Sequence, residues 1–228
     1  PLVNDRGGMV DDIIVYRMQE QKFLIIVNAG NIEKDFEWFQ ARVPDNVTLT
    51  DLSDTMGLLA LQGPMSQTIL LECFGAFYKD LRRFHYKDFE GGVIARTGYT
   101  GEDGYEIMVP KSKLKQVWDV FFRVGAKHGL LPGGFGARDT LRLEAAMPLY
   151  GHELNDELTP LEADLEWAID LTKNEFPGSE VLKKQKAAGI TKKRVGFEMT
   201  ERGIPRQGFE IQKNGKTIGS VTSGSFIQ

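Results

Sequence analysis

The alternation of apolar and polar residues changes repeatedly along the 228-residue chain, and each pattern predicts a particular element. Apolar residues at every second position, or in a short unbroken run, predict a strand. Apolar residues three and four positions apart predict a helix. The predicted strands are 9–16, 23–27, 47–52, 56–62, 91–96 and 105–109, then 195–199, 208–211 and 217–222. The predicted helices are 31–39, 64–77, 111–128, 137–147 and 180–188. The apolar face of helix 111–128 includes Trp118 and Phe121, which we expect in the core.

The order of these elements indicates an α+β fold. Strand 23–27 is predicted to be the hairpin partner of strand 9–16. Helices interrupt such short strands at irregular intervals, which favours largely antiparallel sheets over a doubly wound parallel sheet. The pattern breaks at 176–178 and becomes all-β from Arg194, where residues 213–216 (Lys-Asn-Gly-Lys) predict a hairpin turn. We therefore expect a core domain over 1–175 and the start of a C-terminal β-barrel over 190–228. Both ends fall within predicted elements, so we expect further sequence on both sides.

Composition narrows the classes of function. The net charge of −4 gives no general attraction to nucleic acid. One cysteine, Cys73, and three histidines make a poor set of metal ligands, so no metal site is predicted. A single cysteine is typical of a reducing compartment such as the cytosol. No apolar run approaches the roughly 20 residues that cross a bilayer, so no membrane segment is predicted.

The most informative segment is the glycine-rich stretch 96–106, Arg-Thr-Gly-Tyr-Thr-Gly-Glu-Asp-Gly-Tyr-Glu. Its three glycines mark a sharp turn, and Glu106 follows that turn inside an apolar strand. A carboxylate in that position either faces solvent on an edge strand or recognises a ligand in a pocket, because a buried charge needs a partner. The local pattern leaves both alternatives open.

Other isolated polar residues occur at strand ends and turns. Adjacent strand residues point to opposite faces, so one of Asp11 and Asp12 is expected to face inward and to steer a cationic substrate, unless both acids simply end a turn. Asn28 closes an apolar strand, either as a ligand-facing amide or as a turn residue. Arg138 is either a clamp for a ligand carboxylate or the partner of a nearby acid such as Asp139. No nucleophile motif or phosphate loop accompanies these residues.

Six short motifs occur in order along the chain. They are 7–12 (Gly-Gly-Met-Val-Asp-Asp), 27–31 (Val-Asn-Ala-Gly-Asn), 60–64 (Ala-Leu-Gln-Gly-Pro), 96–106, 136–144 (Gly-Ala-Arg-Asp-Thr-Leu-Arg-Leu-Glu) and 222–224 (Thr-Ser-Gly). Together they resemble the aminomethyltransferase family, or T protein, of the glycine cleavage system, and the resemblance covers essentially the whole chain. In that family a segment precedes the position of Pro1, and a barrel continues past Gln228.

The resemblance implies a fold and an activity. The family has a three-lobed α+β fold, with antiparallel sheets and flanking helices around a central folate cavity. Its members transfer the one-carbon unit from aminomethyl-lipoyl H protein to tetrahydrofolate, giving 5,10-methylenetetrahydrofolate, ammonia and dihydrolipoyl H protein. Tetrahydrofolate is then the co-substrate, and the lipoylated H protein, linked functionally to the P and L proteins, is the partner. The location implied is the cytoplasm of a bacterium or archaeon, or the mitochondrial matrix of a eukaryote.

The same resemblance implies roles for individual residues. Asp12 matches the family's key acid near the reacting folate nitrogens, Glu106 a pterin-binding carboxylate, and Arg138 a folate-binding arginine. The matching residues that line the same cavity are Tyr16, Asn28 and Tyr99. Arg206 is predicted to contact the lipoyl arm or its carrier, with a solvated turn residue as the alternative. The turn glycines are expected to fold Tyr99 back, so that a flat pterin lies beside Glu106.

Three alternatives to this function are open. One is the folate-binding module of a dimethylglycine- or sarcosine-oxidising enzyme, which takes its one-carbon unit from a flavin domain; no flavin segment is visible in this chain. Another is a non-catalytic folate-binding protein of the iron–sulfur assembly type, whose Lys-Gly-Cys-Tyr-x-Gly-Gln-Glu motif this chain lacks. The third is an α+β scaffold without a small-molecule site.

Overall fold

The computed structural model describes residues 1–173 and 175–226. The chain divides into two compact units: unit 1 comprises residues 1–49 and the chain from Pro148 onward, and unit 2 is the continuous segment 50–147. The predicted domains 1–175 and 190–228 include residues 174, 227 and 228, which lie outside the described residues.

The described residues form ten strands and five helices. The strands are β1 (Leu2–Val3), β2 (Met9–Asp11), β3 (Ile14–Gln19), β4 (Lys22–Ile26), β5 (Met56–Gln62), β6 (Tyr86–Phe89), β7 (Gly92–Ala95), β8 (Gly104–Pro110), β9 (Glu210–Lys213) and β10 (Lys216–Ser220). The helices are α1 (Ile32–Gln40), α2 (Ser66–Phe74), α3 (Lys111–Gly125), α4 (Phe135–Glu144) and α5 (Ser179–Ala188). The mixture of small antiparallel sheets and flanking helices confirms the predicted α+β class.

Unit 2 is built on a four-stranded antiparallel sheet in the order β5-β8-β7-β6. Successive residues of β8 point to opposite faces, as strand geometry requires. Tyr105, Ile107 and Val109 are fully buried on one face, in a core that also includes residues of α2 and α3. Glu106 therefore belongs to the other face of the sheet. Phe121 of α3 joins the core as predicted, but Trp118 is 44% exposed, so its predicted core position is wrong.

Unit 1 contains three two-stranded antiparallel sheets, β1-β2, β3-β4 and β9-β10. The hairpin β3-β4 was predicted, and it pairs Tyr16 with Leu24. The predicted strand 9–16 is interrupted, because β2 ends at Asp11 and β3 begins at Ile14 with a different partner. Asp12 therefore lies at the junction between two sheets, where the chain leaves one partner strand for another.

Two small clusters of buried apolar residues stabilise unit 1. The first consists of Met9, Leu154, Ala163 and Leu165, and the second of Val3, Leu161 and Leu182. Each cluster joins the N-terminal segment to residues that follow Pro148. The side-chain nitrogen of Asn4 adds a hydrogen bond to the carbonyl of Asp156, at 2.9 Å, across the same long sequence separation.

The described chain beyond residue 190 has one hairpin, β9-β10. Asn214 and Gly215 have φ of 52° and 72°, as the predicted Asn-Gly turn requires. The predicted strand 195–199 is wrong, and so is 47–52, because neither segment pairs with a neighbouring strand. Alternating apolar residues form a strand only where a partner accepts their backbone hydrogen bonds. No closed barrel is formed by residues 190–226, and a barrel beginning there stays a prediction.

The predicted helices occur with shifted ends. Helix 64–77 is shorter than predicted, since α2 ends before Gly75, which has φ of 89°. Asn31 occupies the N-cap position of α1, but its side chain makes no capping bond and instead donates to Asp11. No helix within residues 1–173 and 175–226 combines the length and apolar character that a membrane crossing needs.

Candidate functional site

Glu106 lies in the centre of the unit 2 sheet. β8 is paired with β5 on one side and with β7 on the other, so the alternative of a solvent-facing edge residue is wrong. The cross-strand neighbours of Glu106 are Ala60 and Ala95. Their methyl groups are too short to cover the half-buried carboxylate, which therefore lies in a part of the sheet face lined by small side chains.

Within the described part of the chain, one oxygen of Glu106 is held by a protein donor and the other is not. The hydroxyl of Thr97 donates to Oε2 of Glu106 at 2.5 Å, which fixes the orientation of the carboxylate. No donor among the described residues bonds to Oε1. Because an ionised carboxylate can accept several hydrogen bonds, Glu106 retains acceptor capacity for the N–H groups of a flat ligand.

The glycines of the 96–106 segment make room for the side chain of Gln62. A Cβ atom at Gly98 would lie 1.9 Å from Oε1 of Gln62, and one at Gly104 would lie 2.3 Å from it. The Gln62 amide donates to the carbonyls of Thr97 (3.2 Å) and Tyr105 (3.4 Å). Gly98 and Gly104 thus allow Gln62 to tie the turn to β5, which is a different reason from the predicted space for a pterin ring.

An ion pair closes the same turn. Arg96 donates through Nε to Oδ1 of Asp103 at 2.9 Å and through Nη2 to Oδ2 at 2.7 Å, and its Nη1 donates to the carbonyl of Leu81 at 2.9 Å. The guanidinium lowers the pKa of Asp103 below its ordinary value. The backbone carbonyl of Asp103 accepts from the N–H of Gly63 at 2.8 Å. Asp103 therefore has a structural role in holding the turn.

Arg138 lies over an aromatic ring instead of pairing with an acid. Its guanidinium carbon is 4.5 Å from the ring centroid of Tyr99, a cation–π arrangement that brings two of the predicted residues together. Asp139, the expected alternative partner, pairs with Arg142 at 2.8 Å. The side chain of Arg138 is exposed, so its hydrogen-bond donors are accessible to an anionic ligand group.

Of the adjacent acids Asp11 and Asp12, the buried one is Asp11. Asp11 is 0% exposed and accepts hydrogen bonds from Asn28 N (2.9 Å), Asn28 Nδ2 (2.8 Å) and Asn31 Nδ2 (2.7 Å). Asp11 is therefore the inward-facing acid that was expected in the pair, whereas Asp12 is half-buried instead of facing solvent. The half-buried position of Asp12 follows from the interruption between β2 and β3, because strict alternation of side chains ends with the last residue of β2, Asp11.

Asn28 connects the two acids. Its Nδ2 also lies 2.8 Å from Oδ1 of Asp12, so one amide group bridges both carboxylates. No donor among the described residues bonds to Oδ2 of Asp12. Burial raises the pKa of Asp12 to about 6, with a further rise from the charge of Asp11 and an opposing effect from the Asn28 hydrogen bond. The predicted residues Asp12 and Asn28 are thus in direct contact.

The remaining predicted residues have simpler surroundings. Tyr16 is buried in β3 at 4% exposure. Arg206 is exposed in a turn, where its carbonyl accepts from Phe209 N at 3.0 Å, an environment typical of a solvated turn residue. No group of three or more His, Cys, Asp or Glu side chains suited to a metal ion occurs in the described part of the chain.

Sequence analysis missed Asp35 and Thr97. Asp35 is 1% exposed on α1, and burial, followed by the influence of the neighbouring Asp11 carboxyl group, raises its pKa to about 8. A signal was present, because Asp35 occupies the apolar face of α1, three residues after Ile32 and four before Phe39. Thr97 gave no comparable signal, since its contact with Glu106 depends on the folding of the turn.

Fold and site together define a mixed α+β protein of small antiparallel sheets whose carboxylates are oriented by amide and hydroxyl donors. The same architecture occurs in the crystal structure of glycine cleavage system aminomethyltransferase T from Bartonella henselae, with a TM-score of 0.89 and 32% identity, covering 99% of this chain and 62% of that one. The family described as the GCVT N-terminal domain matches residues 1–173, and the chain belongs to that family.

Curated relatives agree with this assignment. Proteins named aminomethyltransferase from Desulforamulus reducens and Thermoanaerobacter pseudethanolicus are 46% and 43% identical to the chain, each over 99% of its length. The chain spans 63% of the length of these two relatives. The family resemblance carried by the six sequence motifs is therefore confirmed.

Proposed function

We propose that the protein is a tetrahydrofolate-dependent aminomethyltransferase of a glycine cleavage system. It takes the one-carbon unit from aminomethyl-lipoyl H protein and gives 5,10-methylenetetrahydrofolate, ammonia and dihydrolipoyl H protein. The observation that carries this proposal is the 46% identity to the Desulforamulus reducens protein named aminomethyltransferase, over 99% of the chain. Two carboxylates held by protein donors, Asp12 and Glu106, also support the proposal, because carboxylates accept hydrogen bonds from the N–H groups of a nitrogen-rich substrate.

The residues of unit 2 fit tetrahydrofolate. The edge of a pterin offers an amino group and a ring N–H, and a single carboxylate accepts both with defined geometry. Glu106 is available for this contact, because Thr97 engages only Oε2 and the neighbours Ala60 and Ala95 leave space. The glutamate tail of folate is an anion, and in this proposal the exposed guanidinium of Arg138 binds folate, oriented by the ring of Tyr99.

Asp12 is the catalytic carboxylate in this proposal. When bound, tetrahydrofolate supplies the nitrogens that accept the one-carbon unit. Loss of ammonia from the aminomethyl thioether develops positive charge on the transferred methylene, which an ionised Asp12 stabilises while it orients the attacking nitrogen. Asn28 holds Oδ1 of Asp12, so Oδ2 is the atom that acts on the reactants. This chemistry needs no covalent enzyme intermediate, which agrees with the lack of a nucleophile motif in the sequence.

The partner in this proposal is the lipoylated H protein, which connects the enzyme functionally with the P and L proteins. The lipoyl arm has to reach Asp12, which Asn28 contacts, and Tyr16 stays a prediction for the lining of the same cavity. Arg206 stays a prediction for the contact with the arm or its carrier, and its exposed position leaves it accessible to a partner.

The test is an H-protein-dependent assay of methylenetetrahydrofolate formation, using the full-length protein that contains this chain. We expect Asp12→Asn to abolish turnover while circular dichroism shows an unchanged fold. Near-normal turnover of that variant would contradict the catalytic role of Asp12.

Tetrahydrofolate titration, followed by the fluorescence of Trp38, Trp118 and Trp167, separates the alternative functions. Binding without H-protein-dependent turnover favours the folate-binding modules, and no binding favours a scaffold.

A further inference from the structure

The carboxyl group of Asp35 is buried against another acid. Asp35 is 1% exposed on α1, one helical turn after Asn31, whose side chain donates to Asp11, so its carboxyl group lies on the side of α1 that meets Asp11. Neither Asp35 oxygen has a hydrogen-bond partner among the described residues. A buried carboxylate that has no donor and lies beside a second buried carboxylate is strongly disfavoured in its charged form, so one of these two acids is expected to carry a proton.

The hydrogen-bond partners locate that proton on Asp35. Asp11 already accepts three N–H groups, two from Asn28 and one from Asn31, and this environment favours its charged form. Asp35 receives no such donor, and its raised pKa of about 8 agrees with a neutral acid at physiological pH. The other charged groups that influence Asp35 are Lys34, which lowers its pKa, and Asp12, which raises it.

We propose that Asp35 is a positioning residue for Asp12, acting as a neutral acid that donates to Asp11 and so fixes the Asn28 amide against Oδ1 of Asp12. The inference rests on the proposed function, in which Asp12 is the catalytic carboxylate. The chain of contacts is continuous, because Asp11 holds Asn28 through both its backbone N–H and its side chain, and the same side chain holds Asp12. Asn31 supports Asp11 with the side chain that would otherwise cap α1.

A neutral acid suits this position better than an ionised one. A second buried carboxylate beside Asp11 would compete for the amide hydrogens of Asn28 and would place another negative charge near Asp12. The proton on Asp35 supplies the Asp11 carboxylate with one more hydrogen bond without using an N–H group of an asparagine. The Asn28 side chain is then free to bridge Asp11 and Asp12 with the geometry observed, at 2.8 Å to each.

Two substitutions at Asp35 test whether its hydrogen-bond donor to Asp11 matters for turnover. Asp35→Asn keeps an N–H donor toward Asp11, so its kcat in the H-protein-dependent assay should stay close to the wild-type value. Asp35→Leu removes the donor, and its kcat should fall about tenfold or more, as for other residues that orient a reactive group, while the KM for tetrahydrofolate changes little. Glu33→Gln, an exposed acid on the same helix, is the matched control. The proposal is overturned if Asp35→Asn is as impaired as Asp35→Leu, or if Asp35→Leu keeps full activity.

Two measurements on the full-length protein do not depend on activity or on the folding of Asp35→Leu. Infrared difference spectra between wild type and Asp35→Asn should show the carbonyl stretch of a protonated acid at neutral pH, lost in the variant. Wild-type stability should decline as the pH rises from the ordinary Asp pKa of 3.8 to about 8 and should level off above that, because in this range only folded Asp35 keeps its proton. Asp35→Asn should lack this decline. A missing carbonyl signal refutes the neutral acid, whereas normal turnover of Asp12→Asn would contradict the catalytic role of Asp12 without bearing on the protonation of Asp35.

Discussion

The hydroxyl of Thr97 holds one oxygen of Glu106 at 2.5 Å, and the other oxygen has no donor within residues 1–173 and 175–226. Glu106→Gln replaces an acceptor oxygen by an NH₂ group that cannot accept from ligand N–H donors. We expect the Kd for tetrahydrofolate to rise about tenfold or more, since a hydrogen bond to a charged group contributes about 1.5–3 kcal/mol. Tryptophan fluorescence measures this Kd, with Glu102→Gln, an exposed residue of the same turn, as control. An unchanged Kd would remove Glu106 from the folate site.

Turnover should depend on the ionisation of Asp12. Its pKa is raised to about 6, and the charged form is the one that stabilises a developing cation, so kcat should fall as the pH drops through about 6. This acid limb should persist in Asp45→Asn, an exposed acid of unit 1. Initial rates at saturating tetrahydrofolate and H protein test the prediction. A kcat that stays constant as the pH falls through about 6 would contradict the need for an ionised Asp12.

The ion pair between Arg96 and Asp103 should stabilise the protein only where Asp103 is ionised. The folded-state pKa of Asp103 lies below its ordinary value of 3.8, so the stabilisation is present above that value and is lost as the pH falls through the lowered pKa. Asp103→Asn should reduce the free energy of unfolding at pH 7 by about 1 kcal/mol, since both side chains are partly exposed. The difference should vanish in strong acid. Urea unfolding at several pH values measures it, and a pH-independent difference would exclude the ion pair as its cause.

Gly104 should tolerate a methyl group only when Gln62 is shortened. A Cβ at Gly104 would lie 2.3 Å from Oε1 of Gln62, so Gly104→Ala should destabilise unit 2 by about 1–3 kcal/mol. Adding Gln62→Ala should recover part of that loss, giving an interaction energy of about 1 kcal/mol in a double-mutant cycle. Gly133→Ala is the control, because nothing lies within 4 Å of its Cβ position. Strictly additive effects would show that the two residues do not compete for space.

Local patterns in the sequence predicted those parts of the fold whose partners are close along the chain. The hairpin β3-β4 and the turn at Asn214 and Gly215 are examples, because both strands of each hairpin belong to one short segment. The strands predicted at 47–52 and 195–199 failed for the opposite reason. Alternating apolar residues identify the face of a segment that can be buried. Strand pairing also needs a partner strand, which is distant in the chain and which a single sequence does not reveal.

The candidate site was predicted residue by residue but not in its contacts. Glu106 was expected in an apolar strand, yet its neighbours Ala60 and Ala95 come from strands whose register the sequence does not specify. Asp35 was overlooked because periodicity places it on the buried face of α1, where an acid is disfavoured unless a partner arrives from another element. The partner is Asp11, and only the folded chain brings the two together.

The two units differ in when their sequences become available during synthesis. Unit 2 is one continuous segment, 50–147, so it can complete its sheet as soon as it has left the ribosome. Unit 1 begins earlier but finishes later, because the buried partners of Val3 and Met9 lie after Pro148. Val3 and Met9 must therefore wait for their buried partners until unit 2 has been made. During that interval the apolar side chains of the N-terminal segment are exposed to chaperones and proteases while unit 2 is already able to fold.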